Sequence, residues 1–60
     1  MKDYYSEIDR ALTRLERGLY PIRSIDWVTE RIDWCWKWRK ITREQLELLC
    51  DRVIAYFEGT

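Results

Sequence analysis

Sixty residues with eleven basic and eleven acidic side chains have no net charge, and so lack the basic excess a general nucleic-acid binder uses. With 47% apolar and 15% aromatic residues the chain is too hydrophobic to stay disordered. No apolar run nears membrane-spanning length, and the N-terminus shows no secretory pattern.

The first element runs from Asp3 to Leu19. Tyr4, Tyr5, Ile8, Ala11, Leu12, Leu15 and Leu19 recur at steps of three and four. At 3.6 residues per turn they share one stripe roughly 120° wide, which predicts an amphipathic helix over 3–19. Gly18 can close it in a left-handed cap, and Pro21 disfavours helical geometry at Tyr20.

A second helix is predicted over 24–40, with Ser24 as its N-cap and Asp26 complementing the dipole in its first turn. Lys37, Arg39 and Lys40 gather near its other end. Ile25-Asp26-Trp27 recurs seven residues later as Ile32-Asp33-Trp34, nearly two turns on, so like residues superimpose. Ile25, Val28, Ile32 and Cys35 form a core seam with Trp36 at its edge. Trp27, Trp34 and Trp38 form a second column roughly 120° around the axis, with Arg31 among them. The apolar arc is then about 200°, wider than a core-facing helix requires.

The third helix is predicted over 42–57. Thr42-Arg43-Glu44-Gln45 matches a capping box, with Thr42 as the cap and Gln45 reaching back. Leu46, Leu49, Cys50, Val53, Ile54 and Phe57 lie on one side, and Gly59 can end the helix. Short connections make neighbouring helices antiparallel. The expectation is one all-α domain over 1–60, a compact three-helix hairpin or bundle.

Two readings of the tryptophan column stay open. Buried on both sides, a central helix would pack one column on each neighbour. Exposed, three tryptophans would rival the largest apolar patch of a typical monomer, and a partner would cover them. Arg31 could stack on these indoles or face a partner's charge, and tryptophan and arginine dominate binding hot spots.

Catalysis has thin support. Without histidine the commonest general base and metal ligand is missing, and two cysteines do not complete a zinc site. Cys35 and Cys50 both fall on apolar stripes and are expected to be buried, reduced and inert. Asp26, Glu30 and Asp33 read as a solvated face. Trp34 to Arg43 mixes rings and cations, but helical geometry scatters them around the axis.

The residues therefore point to a non-enzymatic, cytoplasmic interaction protein with no cofactor, no metal and no membrane contact. Trp27, Arg31, Trp34 and Trp38 are its candidate binding residues, for a second copy or another protein. The alternative is a module that stacks a nucleotide or short nucleic acid on Trp and Arg. Size and aromatic content also suit phage or mobile-element proteins that block a host factor, an analogy of composition.

Overall fold

The computed structural model describes residues 3–59, and among these it contains three helices and no strand. They are α1 (Tyr4–Glu16), α2 (Ser24–Lys37) and α3 (Arg43–Glu58), and every pair is in contact, which makes a three-helix bundle. The core is built mainly by the first two. Ile8, Ala11, Leu12 and Leu15 of α1 interdigitate with Ile25, Val28, Ile32 and Cys35 of α2. Leu49 of α3 and Ile41 of the connection close it, with Leu46, Val53 and Tyr56 packed against its edge.

The caps explain the helix limits. Asp3 caps α1 by accepting from the Ser6 backbone N–H at 3.2 Å. The same helix ends two residues before Gly18, whose φ of 74° turns the chain out of the helix. Leu19 N–H donates to Arg14 C=O and Gly18 N–H to Leu15 C=O, the paired bonds of a Schellman ending. Leu19 therefore lies outside the stripe that the spacing assigned it to, and is exposed.

Ser24 is not the cap of α2. Arg23 holds that position with helical backbone angles, φ −60° and ψ −18°, and no side-chain cap bond. The turn after Pro21 already brings the chain into helical geometry, with Ser24 N–H donating to Pro21 C=O at 2.9 Å. Ser24 thus enters as the first helical residue, where its hydroxyl cannot take the capping role. The far end also differs from expectation, because α2 stops at Lys37 and not at residue 40. Arg39 takes a left-handed φ of 56°, and Lys40 N–H donates to Cys35 C=O at 2.7 Å. This is the ending of α1 repeated without a glycine.

Thr42 caps α3 as its motif predicts. Its hydroxyl accepts from Gln45 N–H at 3.1 Å while the Gln45 side chain accepts from Thr42 N–H at 3.0 Å.

The orientation of α3 departs from the sequence reading. Cys50, Ile54 and Phe57 were expected on the buried side and are exposed instead. The face turned inward is Leu46, Leu49, Val53 and Tyr56. Arg52, on the opposite flank of α3, ties that helix to α1 through Asp9, Thr13 and Glu16. This anchor fits the rotation that leaves Cys50 outside the core. Cys35 remains fully buried, and neither cysteine forms a disulfide.

Candidate functional site

The seam of α2 closes the core with Ile25, Val28, Ile32 and Cys35, and the tryptophans stand to either side of it. Trp27, Trp34, Trp36 and Trp38 keep 49%, 39%, 42% and 58% of their surface in water. The column is therefore not buried between α2 and its neighbours, since both core-facing helices meet α2 on the Ile25–Val28–Ile32–Cys35 seam.

Three of the four nominated residues come together. Trp27, Arg31 and Trp34 surround a shallow depression of about 240 Å³ with Glu30. Arg31 organises it. Its guanidinium carbon lies 5.0 Å from the Trp34 ring centre and 5.6 Å from that of Tyr4 on α1. The two rings are themselves 5.9 Å apart at 42°. Arg31 also lies 3.7 Å from a Glu7 carboxylate oxygen, so its charge is balanced within the protomer. Both rings hold the cation on their negative faces, each such contact being worth roughly 0.5–2 kcal/mol.

Trp38 does not join this depression. It sits at the C-cap of α2, where the backbone leaves the helix, and is the most exposed of the four.

Sequence reasoning missed two participants. Tyr4 packs against the core as its stripe predicts, and it also lies tilted beside Trp34 and 5.9 Å from the Lys40 ammonium. Tyr20, kept out of helical geometry by Pro21, lines a second depression with Ser24 and Trp27. The Tyr20 hydroxyl accepts from Arg14 at 3.0 Å, which fixes the ring at the end of the column. Tyr20, Trp27, Trp34 and Tyr4 thus follow one another along this face, with Arg14 against Tyr20, Arg31 against Trp34 and Tyr4, and Lys40 against Tyr4. One signal was available: the tyrosine-to-arginine spacing of Arg14 and Tyr20 across the glycine turn.

The basic and aromatic stretch from Trp34 to Arg43 is split by the left-handed turn at Arg39. Trp36, Lys37, Arg39 and Arg43 line one depression, whereas Trp34 belongs to the opposite side of α2.

Among the described residues no group of three or more Cys, Asp or Glu side chains stands close enough to hold a metal ion. No described helix is long and apolar enough to cross a membrane.

No protein-family model, curated protein or solved structure matches the chain.

Proposed function

We propose that the chain is a non-enzymatic interaction protein whose aromatic column on α2 seats a protein partner. The observation that carries this is the exposure of Trp27, Trp34 and Trp38 above a core that is already closed without them. Large indoles held in water are costly, and their burial against a partner recovers that cost. Tryptophan is also the side chain most enriched where truncation weakens protein complexes.

The engagement of Arg31 favours a protein over a nucleotide. A phosphate would need a cation whose charge is not already met, and Arg31 is held by two rings and Glu7. Packing of this kind instead fixes Trp34 in one orientation, which lowers the entropy lost on docking.

The test combines folding with capture. Trp27→Ala should remain helical by circular dichroism and lose less than about 1.5 kcal/mol of folding stability, because the ring is half exposed; a core tryptophan would cost roughly 3–5 kcal/mol. A photo-crosslinking residue at Glu30 should trap one discrete protein in cells of the native host, and Trp27→Ala should abolish that adduct. A core-sized stability loss would overturn the reading. So would ATP or an oligonucleotide quenching tryptophan fluorescence at micromolar concentration.

A further inference from the structure

A second apolar surface lies between α2 and α3. Ile32 and Trp36 form one wall of an open groove of about 440 Å³, and Leu46, Cys50, Val53 and Ile54 form the other. It exists because α3 turns Leu49 inward and leaves Cys50 and Ile54 outside the core.

Two charge observations indicate what covers it. Consecutive α2 and α3 run in opposite directions, so the groove has unlike ends. Where α2 finishes and α3 begins, Lys37, Arg39 and Arg43 gather beside Trp36. Where α2 begins and α3 finishes stand Asp26 and Glu58, with Arg23 at the N-cap of α2. The second observation concerns α3 alone. Arg43 opens that helix beside Glu44 and makes only an exposed pair with Glu47 at 3.4 Å, and Glu58 closes it with no basic residue in the last turn. The charges of Arg43 and Glu58 oppose the helix dipole, which costs helix stability. What is unfavourable within one chain becomes favourable when the basic end of one groove meets the acidic end of another.

We infer that the α2–α3 face is the interface of a two-fold homodimer, with a second copy lying antiparallel across the groove. An isologous contact needs a self-complementary surface, and a face apolar in the middle with opposite charges at its ends provides one. The axis lies in the interface plane and crosses the helices near mid-length. Each α3 then packs on its reversed counterpart, and Ile54 enters the groove beside Leu46 of the partner subunit. Arg43 meets Glu58 of the partner subunit, and Lys37 meets Asp26 of the partner subunit. Cys50, halfway along α3, approaches its own counterpart. The other two-fold arrangement, with the axis along the helices, would set the two basic ends together, and like-charge contacts of that kind are strongly disfavoured. Asp33, on the groove wall near the axis, is the one charge in the lining that opposes the contact.

This interface leaves the Trp27–Trp34 face outside it, so the inference and the proposed function fail separately. The experiment is sedimentation of the full chain in reducing buffer across a range of concentrations. The expected result is a dimer at micromolar concentration. Ile54→Glu, at an exposed position, should weaken it about thirtyfold or more. Arg43→Glu should weaken it about tenfold, and adding Glu58→Arg should restore it to within about twofold. Both substitutions favour the α3 dipole, but Arg43→Glu also removes the Arg43–Glu47 pair, so circular dichroism and urea denaturation of each variant separate loss of association from loss of folding. Asp33→Asn should tighten the dimer and Trp34→Ala should leave it unchanged. A short bis-maleimide should join two chains through Cys50, and should not do so in Ile54→Glu. A monomer at every concentration up to millimolar would overturn the inference, as would a dimer lost in Trp34→Ala and kept in Ile54→Glu. A double charge variant as weak as Arg43→Glu would overturn it equally, and so would a monomer whose groove takes up an amphipathic peptide.

Discussion

Arg31 of α2 lies against the ring of Tyr4 at the first turn of α1, with 5.6 Å between the guanidinium carbon and the ring centre. The contact joins the start of one helix to the middle of the next at the outer edge of the core. Trp34 backs the same guanidinium at 5.0 Å, so packing and charge act on one side chain. Arg31→Lys keeps the charge and loses the planar group that stacks on both rings. It should lower stability by about 0.5–1 kcal/mol, the lower part of the cation–π range for a partly exposed site. Urea denaturation checks this, and the tryptophan emission maximum should shift to the red as Trp34 is released.

Arg39 is a non-glycine residue held at φ 56°, in the C′ position that helices most often give to glycine. The left-handed conformation costs a residue with a Cβ roughly 1–2 kcal/mol, partly offset because glycine gains more entropy on unfolding. Arg39→Gly should therefore raise stability by about 0.5–1 kcal/mol. A denaturation midpoint at or below the parent's would show that the Arg39 side chain contributes more than its backbone costs.

The difference between Arg39 and Gly18 also marks what the sequence made legible. Gly18 announces a left-handed ending, and the structure has one there; an arginine announces nothing, so α2 was expected to run on to residue 40. The capping box at Thr42 is local chemistry between residues three apart and could be read directly. The inward seam of α2 followed from spacing, since Ile25, Val28, Ile32 and Cys35 are all buried. The facing of α3 did not, because the side that carries Leu46, Leu49, Cys50, Val53, Ile54 and Phe57 is turned so that only its Leu49 edge, extended by Tyr56, meets the core. Its rotation goes with Arg52 bonding to Asp9, Thr13 and Glu16, contacts between residues far apart in sequence. For the same reason the α2–α3 groove was invisible, while Trp27, Arg31 and Trp34 could be grouped from their spacing on one helix.

Asp3 gives stability a carboxylate-dependent acid limb. Its carboxylate accepts from the Ser6 hydroxyl at 2.7 Å and from the Ser6 backbone N–H at 3.2 Å. These bonds favour the ionised form and lower its pKa below the usual carboxylate value of 3.8. The folded pKa lies below the unfolded one, so the contribution is complete above the unfolded value and is lost as pH falls through the folded value. Asp3→Asn, which can still cap, should flatten the dependence of the melting temperature on pH below about 4. Parallel pH profiles for variant and parent would rule Asp3 out as the source.

The two thiols should react at separate rates. Cys50 is exposed on α3, whereas Cys35 is fully buried on the inward seam of α2. In the Ile54→Glu variant, a maleimide should label one site per chain within minutes in native buffer and the second only on denaturant addition. Peptide mapping should place the first adduct on Cys50. Simultaneous labelling of both, or first labelling of Cys35, would contradict the position of α2 in the core.

The last prediction concerns the clamp that holds α3 against α1. Arg52 reaches Asp9, Thr13 and Glu16, which lie along one face of α1 and so offer oxygens to a guanidinium from three successive turns. Its own pKa is raised: burial lowers it, and the hydrogen bond and charge of Glu16 with the charge of Asp9 outweigh that effect. Because arginine is protonated throughout the accessible pH range, the result is a structural ion network and no pH switch. The carboxylates remain nearly half exposed, so removing Arg52 strands no buried charge and avoids the large penalty of a broken interior pair. Solvent screening limits the network to about 1 kcal/mol, and Arg52→Met, which keeps the aliphatic cover over α1, should cost about that much. Salt separates charge from packing. One molar sodium chloride, where the Debye length is about 3 Å, should lower the stability of the parent toward that of the variant and narrow the gap between them. A gap that salt does not change would assign the effect of Arg52 to its hydrocarbon chain. A loss of several kcal/mol would mean that the clamp is needed for α3 to dock at all.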